Sequence, residues 1–422
     1  MKILVVGGGG REHALIWRLA QNPTVDRIYA APGNAGIADE ATCVPVSAGD
    51  VTGLVEFVER NGIDLTVVGP EAPLVAGLAD ELDARAFPVF GPSAAAAQIE
   101  ASKSWAKDIC ERHDIATARS ETFGDVDEAL MYLDAMQAPL VVKADGLAAG
   151  KGVAVTEDRA EADAFVRAIL LDRVFGEAGA KVLIEEYLDG PEISALCLTD
   201  GKEVLPLALA QDHKRVGDGD TGPNTGGMGA YSPLPFVDDD LERSITWDTL
   251  TQAVRALEAE GITYRGVLYA GMVLTADGPK LLEFNCRFGD PETQVIVPRM
   301  ASDLGELLLA CVEGNLGNYK MLWKPESCVT VTVASAGYPG EIETGMPIDG
   351  LREAEEVDGV VVFHAGTAMR DGRVVTSGGR VLSVSAMGSD LAEARERAYA
   401  ACEQITFEGM HYRKDIGEKA FA

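Results

Sequence analysis

Apolar runs of four or five residues alternate with helix-like stretches along the first hundred positions. Residues 3–6 and 64–68 have the apolar content of buried strands, whereas 12–21 and 51–61 repeat apolar positions at the spacing of a helix. Strands of this kind, separated by helices, are typical of a parallel sheet that is covered on both faces. The pattern predicts an N-terminal α/β domain over residues 1–101.

The pattern of strands and helices changes after this first domain. A small unit at about 118–188 is predicted to be inserted in a larger one that covers residues 102–324. Within the larger unit, the glycine-rich stretch 212–235 is predicted to be a loop, and loops of this length are usually functional. Residues 325–422 are predicted to form a closing α+β domain. Three domains agree with a chain of 422 residues, because a domain averages ~150 residues.

Charge and cysteine content exclude several classes of function. The chain carries 67 acidic and 36 basic side chains, a formal net charge of −31. This charge would repel a polynucleotide, so we expect no nucleic-acid partner. The seven cysteines are scattered without a Cys-x-x-Cys pair, and there is no apolar run of ~18 residues that would suit a membrane span. These features favour reduced thiols and a cytoplasmic location without membrane contact.

A block of acids and amides follows an apolar strand near residue 283. Glu283 and Asn285 are two residues apart, so both side chains point to the same face of an extended strand. A carboxylate and an amide oxygen side by side are suitable ligands for a hard cation such as Mg²⁺ or Mn²⁺. Arg287 would share that face if the strand continued, and its planar group suits a phosphoryl or carboxylate group. The alternative is a strand end whose polar side chains face water.

The glycine turn at residues 7–10 has the position of a phosphate-binding loop between a strand and a helix. A dinucleotide fingerprint would need a third glycine where Glu12 stands, and an acid where Ala31-Pro32 stands. An NAD site is therefore not expected. A smaller phosphate, such as that of a sugar phosphate, remains open beside the alternative of a turn needed only for packing.

Two lysines bracket a second glycine-rich segment. Lys143 ends a predicted strand, and Lys151 lies in the loop 146–152, which lacks the Ser or Thr of a Walker loop. Such a hairpin can fold over a triphosphate and exclude water, and a mobile surface loop is the alternative. Near the end of a later strand, Glu185 or Glu186 could hold ribose hydroxyls, although acids are common at such places. The sequence has no His-x-x-x-His pair and no Gly-x-Ser-x-Gly elbow, so zinc-protease and serine-hydrolase functions lack support.

Together these motifs resemble the ATP-grasp superfamily and, within it, the phosphoribosylamine–glycine ligase family. The resemblance spans essentially the whole chain, and its two longest stretches, 221–233 and 283–294, are highly specific. Shorter matching stretches lie at 9–14, 31–36, 68–74, 143–153, 211–218, 363–367 and 413–417. The resemblance implies a multidomain α/β and α+β protein with an ATP-grasp fold. This fold would comprise an N-terminal parallel-sheet domain that binds substrate, a mobile lid subdomain and a small C-terminal domain.

The resemblance also implies a reaction in the second step of purine biosynthesis. ATP would activate glycine as glycyl phosphate, and 5-phosphoribosylamine would attack it, giving glycinamide ribonucleotide, ADP and phosphate. Neither step needs a nucleophile from the protein, because phosphoryl transfer depends on positioning and charge neutralisation. The expected partners are therefore small molecules, with a monomer as the expected state and a dimer as the alternative.

The resemblance assigns roles to individual residues. Glu283 and Asn285 would hold Mg²⁺ or Mn²⁺ on the ATP phosphates, and Arg287 and Asp212 are the expected catalytic residues. The expected ATP-binding residues are Lys103, Lys143, Gly150, Lys151, Glu185, Glu186, Leu188 and Glu192. The expected substrate-binding residues are Gly9, Gly10, Asn34, Glu71, Asn224, Thr225 and Arg287.

Two other kinds of function remain open at this point. A formate-dependent purine transformylase or a biotin-type carboxylase would share the fold and an acyl phosphate, but their relatives differ at 221–233 and 283–294. A non-catalytic nucleotide-binding regulator would not need Glu283, Asn285 and Arg287 together, yet all three are present. For the ligase, the proton of the attacking amine could go to Asp212, Glu292 or water.

Overall fold

The first domain is a five-stranded parallel sheet, in a computed structural model that describes residues 1–148 and 152–421. Its strands are β1 (Lys2–Gly7), β2 (Arg27–Pro32), β3 (Thr42–Cys43), β4 (Leu65–Val68) and β5 (Val89–Phe90). Its helices are α1 (Gly10–Leu19), α2 (Ile37–Glu40), α3 (Val51–Asn61), α4 (Glu71–Val75), α5 (Leu78–Asp83) and α6 (Ala94–Ala101). The strand order is β3-β2-β1-β4-β5, and every neighbouring pair is parallel. This is the covered parallel sheet that the apolar runs predict, because β1 and β4 are buried along most of their length.

A second sheet, which is antiparallel, follows helix α7 (Lys103–Arg112). Its elements are β6 (Ser120–Phe123), α8 (Val126–Asp134), β7 (Leu140–Ala144), β8 (Val153–Thr156), α9 (Arg159–Leu170) and β9 (Val182–Glu186). The strands lie in the order β6-β9-β7-β8, and the two helices bury a separate hydrophobic cluster against them. This unit corresponds to the predicted lid at about 118–188, whose mobility stays a prediction.

The chain then builds another four-stranded antiparallel sheet. The strands that follow are β10 (Glu192–Thr199), β11 (Val204–Pro206), β12 (Gln211–Asp212), β13 (Arg215–Gly217), β14 (Thr221–Asn224), β15 (Gly229–Ser232), β16 (Gly266–Thr275) and β17 (Gly278–Asn285). The helices are α10 (Asp239–Ser244), α11 (Gln252–Ala259), α12 (Thr293–Arg299) and α13 (Leu304–Glu313). Strands β11, β10, β16 and β17 form the sheet in that order, and Glu283 of β17 stands opposite Gly271 of β16.

The prediction of one continuous loop at 212–235 is wrong. Strands β13 and β14 form a hairpin there, and β15 joins a larger sheet. Gly219 and Gly222 have φ angles of 65° and 79° near the tip of the hairpin, a conformation that glycine adopts without steric cost. The glycines that indicated a loop therefore serve the tight turn of a hairpin.

The fourth sheet crosses the predicted domain boundary at residue 324. The remaining elements are β18 (Ser327–Ala334), α14 (Leu351–Glu355), β19 (Val360–His364), β20 (Thr367–Arg370), β21 (Arg373–Thr376), β22 (Arg380–Gly388) and α15 (Leu391–Cys402). The sheet order is β12-β15-β18-β22-β19, so strands from both sides of the boundary share backbone hydrogen bonds. The boundaries themselves stay predictions. Within the described residues, no helix is long and apolar enough to cross a bilayer.

Candidate active site

A cleft of ≈ 1000 Å³ is lined by side chains from all three predicted domains. Most of the predicted site residues line it: Glu71, Lys103, Lys143, Glu185, Glu186, Leu188, Glu192, Asp212, Asn224, Thr225, Glu283, Asn285 and Arg287. Among the described residues, the predicted Gly9, Gly10 and Asn34 are not part of the lining. Gly150 and Lys151 lie outside the described residues. The cleft thus brings together residues that are more than 200 positions apart in the chain.

The predicted metal ligands lie on one side of β17. Glu283 and Asn285 are half-buried, while Phe284 between them is buried, as the two-residue period of a strand requires. Gly271 stands opposite Glu283 on the neighbouring strand. Within the described residues, no three His, Cys, Asp or Glu side chains form a ready-made metal site. The two oxygen donors therefore fit a hard cation that takes its other ligands from water and phosphate, as Mg²⁺ does.

Arg287 lies beyond the end of β17 but stays close to it. Its Nη2 donates to Asn285 Oδ1 (3.2 Å), and its Nε and Nη2 lie 3.3 Å from Glu71 and Glu100. Burial acts to raise the pKa of Glu71, but the guanidinium groups of Arg287 and Arg11 outweigh it and leave the pKa below its usual value. Two carboxylates of the first domain therefore orient Arg287 in the cleft.

Glu100 is a site residue that the sequence did not reveal. One of its carboxylate oxygens accepts a hydrogen bond from the backbone N–H of Cys286 (2.7 Å), and the other contacts Arg287. Burial raises the pKa of Glu100. Its partner Cys286 is 186 residues away along the chain, and no local motif marks a carboxylate that acts at such a distance.

Two lysines share one buried carboxylate on the lid side of the cleft. Glu185 Oε2 lies 2.6 Å from Lys143 Nζ, and Glu185 Oε1 lies 3.0 Å from Lys107 Nζ. The side chains of Lys143 and Glu185 are only 3% and 1% exposed. Burial acts to raise the pKa of Glu185, yet the two ammonium groups hold it below its usual value. Lys107, which was not predicted, completes this ionic cluster.

Replacing Lys143 by methionine is expected to lower the free energy of unfolding by about 3 kcal/mol. The variant would leave the buried Glu185 charge with Lys107 as its remaining partner, and breaking a buried pair costs ~3–5 kcal/mol. Urea unfolding followed by circular dichroism measures the loss. The exposed Lys202 provides the control, because Lys202→Met should change stability by less than ~0.5 kcal/mol. Equal stability of the two variants would contradict the prediction.

The carboxyl groups of Asp212 and Glu292 differ in their hydrogen bonding to the protein. Burial raises the pKa of Asp212 to about 7, with Lys214 opposing the rise and Glu292 adding to it. In the described part of the chain, the Asp212 side chain accepts no hydrogen bond, and it lines the cleft. Glu292 instead accepts hydrogen bonds from Ser194 Oγ (2.9 Å) and Tyr269 OH (3.0 Å). Of these two candidate proton acceptors, Asp212 is the one left open to a ligand.

Other basic side chains of the cleft are also paired with carboxylates. The pairs are Lys214–Glu192 (2.6 Å), Arg11–Glu12 (2.6 Å), Arg380–Asp290 (2.9 Å) and Lys419–Asp220 (2.6 Å). The ammonium group of Lys214 lowers the pKa of Glu192 more than burial raises it. The predicted Glu186 pairs outside this set, with Arg119 at 2.8 Å. These contacts neutralise the cations and carboxylates that they join.

The glycine turn at residues 7–10 encloses a carboxylate of the protein itself. Glu12 Oε2 accepts a hydrogen bond from the Gly9 N–H (2.6 Å). Gly7, at φ 124°, and Gly69 both lie so close to Glu12 that a Cβ at either position would collide with its side chain. The packing function of this turn therefore has direct support, while the roles of Gly9 and Gly10 toward a sugar phosphate stay predictions.

Asn34 and two histidines join the first domain to the last. Asn34 Nδ2 donates to the carbonyl oxygens of Gly8 (3.0 Å) and His364 (2.7 Å). His13 Nδ1 accepts a hydrogen bond from the backbone N–H of His364 (2.7 Å). Burial lowers the pKa of His13 to about 3 and that of His364 to about 4, so both rings are neutral at pH 7. The family-like stretches 9–14, 31–36 and 363–367 are thus in contact.

This neutral pair predicts a loss of stability in acid. The unfolded chain binds a proton at His13 near pH 6.5 whereas the folded chain does not, so stability falls as the pH drops from 6.5 toward 3. Between pH 7.5 and pH 5, His13 is expected to contribute about 2 kcal/mol to this loss. Urea unfolding at both pH values should show a loss smaller by that amount in His13→Asn than in wild type. The exposed His411 serves as control, and a pH dependence unchanged in His13→Asn would refute the assignment.

Three features define an ATP-grasp protein. They are a parallel-sheet domain, the four-stranded unit that carries the buried Lys143, and an antiparallel sheet that carries the Glu283 and Asn285 oxygens. Solved structures with low sequence identity share this fold. The biotin carboxylase domain of Hydrogenobacter thermophilus 2-oxoglutarate carboxylase has a TM-score of 0.75 at 16% identity, covering 97% of this chain and 91% of that chain. This likeness concerns the fold alone.

The chain belongs to the phosphoribosylglycinamide synthetase family. The N, ATP-grasp (A) and C domain models of the family match residues 1–100, 101–293 and 328–419. The phosphoribosylamine–glycine ligases of Vibrio vulnificus (strain CMCP6) and Yersinia pestis are 49% and 51% identical, each covering 100% of this chain and 99% of the relative. The crystal structure of phosphoribosylamine–glycine ligase from Thermotoga maritima is 33% identical with a TM-score of 0.86, covering 99% of this chain and 100% of that chain. The predicted family and fold class are confirmed.

Proposed function

We propose that this protein is an ATP-dependent ligase that joins glycine to 5-phosphoribosylamine, giving glycinamide ribonucleotide, ADP and phosphate. The relatives at 49% and 51% identity are phosphoribosylamine–glycine ligases that match over their full length. The observation that carries the proposal is one cleft in which the oxygen pair Glu283 and Asn285, the oriented Arg287 and the buried Lys143 converge. The reaction would be the second step of purine biosynthesis.

ATP would lie along the lid side of the cleft. Lys103 and Lys143 would hold oxygens of the α- and β-phosphates, with the buried carboxylate of Glu185 fixing the Lys143 ammonium. Glu185, Glu186, Leu188 and Glu192 would border the adenine and ribose, and Gly150 and Lys151 would cover the phosphates. The exposed apolar side chains of Val155 and Tyr187, which also line the cleft, suit the faces of a purine ring.

Glu283 and Asn285 would hold Mg²⁺ or Mn²⁺ against the ATP phosphates. When bound, such a cation neutralises charge on the phosphoryl oxygens and lowers the barrier to transfer. Arg287, whose Nη2 donates to Asn285 Oδ1, would keep that amide oxygen oriented. The same guanidinium would bind the carboxylate of glycine and then the acyl phosphate formed from it.

Glycyl phosphate would be the intermediate. The carboxylate of glycine attacks the γ-phosphoryl group, ADP leaves, and the amine of phosphoribosylamine then displaces phosphate from the acyl carbon. Asp212 would accept the proton that the amine loses, because a carboxyl with a pKa of about 7 is partly deprotonated at neutral pH and is a competent base there. The remaining work of the protein is to hold the reactants together and exclude water.

Phosphoribosylamine would bind toward the first domain. Glu71 lines the cleft and would face the sugar together with Gly9 and Gly10. Asn34 would act by shaping the turn, since its amide donates to Gly8 and His364. Asn224 and Thr225 would lie between the two substrates.

The proposal is tested by ADP release from purified protein with Mg-ATP, omitting glycine and freshly generated phosphoribosylamine in turn. We expect turnover only with both, and glycinamide ribonucleotide as the product in mass spectrometry. ADP release supported by formate or bicarbonate would assign the protein to a related carboxylate-activating reaction and refute the proposal.

We also propose a cytoplasmic location and a monomeric state. Analytical ultracentrifugation measures the oligomeric state.

A further inference from the structure

We propose that Arg215 binds the γ-phosphoryl group of ATP, an inference that rests on the proposed function. Arg215 begins strand β13 and lines the cleft. It belongs to the family-like stretch 211–218, and the proposed reaction leaves this side chain without a role. Charge pairing in the cleft, its position and the support of its backbone each point to a bound anion.

Almost all cations of the cleft are neutralised by the protein. Within residues 1–148 and 152–421, every basic side chain that lines the cleft, except Lys103 and Arg215, has a carboxylate oxygen within 3.3 Å. Lys103 Nζ and Arg215 Nη1 donate instead to the carbonyl oxygens of Gly146 (3.0 Å) and Gly222 (2.7 Å). A carbonyl oxygen satisfies an N–H group without cancelling its charge. Two cations that form no ion pair with a described carboxylate, in one cleft of a chain with net charge −31, are suited to a multiply charged anion.

The position of Arg215 selects which part of the nucleotide it would bind. Its neighbour Lys214 pairs with Glu192, which belongs to the proposed nucleotide set. Across the hairpin, Arg215 is in register with Asn224, which is proposed to lie between the two substrates. Arg215 thus adjoins residues of both proposed sets, which suits contact with the phosphoryl group that passes from the nucleotide to glycine. Lys103, together with Lys143, is left for the α- and β-phosphates.

The backbone of Arg215 is hydrogen-bonded to the last domain. Arg413, which is fully buried, donates from Nη1 to the Arg215 carbonyl oxygen (3.1 Å) and pairs with Asp220 of the same hairpin (2.8 Å). Its Nη2 pairs with Asp415 at 2.6 Å. A guanidinium group has five N–H donors in a planar fork, and a fork on a fixed backbone suits the oxygens of a phosphoryl group.

The test compares two nucleotides that differ in the γ-phosphoryl group. Calorimetric titration with ADP and with the non-hydrolysable analogue AMP-PNP is done with MgCl₂ and without glycine. We expect Arg215→Gln to weaken AMP-PNP binding by about tenfold to hundredfold, the usual effect of losing a charged hydrogen bond, and to change ADP binding by less than about twofold. Arg215→Lys should give an intermediate loss, because it keeps the charge without the fork.

Two further variants serve as controls for the nucleotide affinities. Lys103→Gln should weaken both nucleotides alike, since its proposed phosphates are common to both. Arg373→Gln removes an arginine that is paired with Asp349 at the surface, and it should leave both affinities unchanged. Circular dichroism and thermal unfolding verify that each variant is folded.

Three outcomes would overturn the inference. They are an equal loss for ADP and AMP-PNP, no loss for either, or an unchanged AMP-PNP affinity with a raised KM for phosphoribosylamine. The last result would assign Arg215 to the sugar phosphate. If wild type makes no glycinamide ribonucleotide but Arg215→Gln still separates ADP from AMP-PNP, the proposed function fails while the γ-phosphoryl assignment stands.

Discussion

Glu283→Ala is expected to lower kcat for glycinamide ribonucleotide formation by roughly 10³-fold or more. The variant would remove the only carboxylate of the proposed cation pair, and the cation supplies several kcal/mol of charge stabilisation in phosphoryl transfer. The neighbouring Asn285 oxygen would remain, but an amide carries no net charge to hold a divalent ion. The measurement is kcat as a function of Mg²⁺ and of Mn²⁺ concentration, with the fold checked by circular dichroism.

The matched control for this variant is Asp277→Ala. Asp277 is an exposed acid in the turn that joins β16 to β17, so its loss changes the charge of the same hairpin away from the cleft. We expect its kcat and its Mg²⁺ dependence to equal those of wild type. Near-normal turnover and an ordinary metal dependence in Glu283→Ala would show that the cation is held elsewhere.

Asp212→Asn is expected to lower kcat by about 10²–10⁴-fold, the usual contribution of a positioned general base. With a pKa of about 7, the wild-type carboxylate becomes competent as the pH rises through 7, so the rate should increase over that range. Asparagine cannot take the proton, and the variant should lose this rise. The measurement is a pH profile of kcat between pH 5.5 and pH 9 with saturating substrates. A retained rise near pH 7 would assign the proton transfer to water or another group.

The same variant has an opposite effect on stability. The pKa of Asp212 is higher in the folded chain than in the unfolded chain, so ionisation of this carboxyl opposes folding as the pH rises above about 4. Asp212→Asn removes that opposition and should raise the thermal unfolding temperature at pH 8. If Asp212→Asn lowers activity and raises stability, Asp212 is a functional base and not a residue that merely supports the fold. Such a trade-off between activity and stability is common at active sites.

Local periodicity made part of the site predictable. Glu283 and Asn285 are found from the sequence because side chains two residues apart on a strand share a face, and the structure keeps both on the cleft side of β17. Lys143 is found because it ends an apolar strand before a glycine-rich turn. The continuous apolar runs of the first domain likewise predict its parallel sheet.

Other parts of the site depend on contacts that no local pattern encodes. Glu100 acts through Cys286 and Arg287, far away in the chain, and Lys107 gains its role only when Glu185 is brought beside it. The hairpin β13–β14 was missed because its glycines are equally typical of a loop and of a tight turn. Whether a glycine-rich stretch forms a loop or a hairpin depends on pairing between strands, and that pairing depends on tertiary context.

The sheet that crosses residue 324 also sets the time at which a newly made chain can become complete. Gly229 of β15 is in register with Val331 of β18, so during synthesis at ~5–20 residues per second β15 must wait several seconds for its partner. Until then it presents an open strand edge, the kind of surface that chaperones and aggregating chains recognise. The cleft is also lined by Arg380 and Lys419. A ribosome-bound chain therefore lacks part of the cleft lining until residue 419 has emerged.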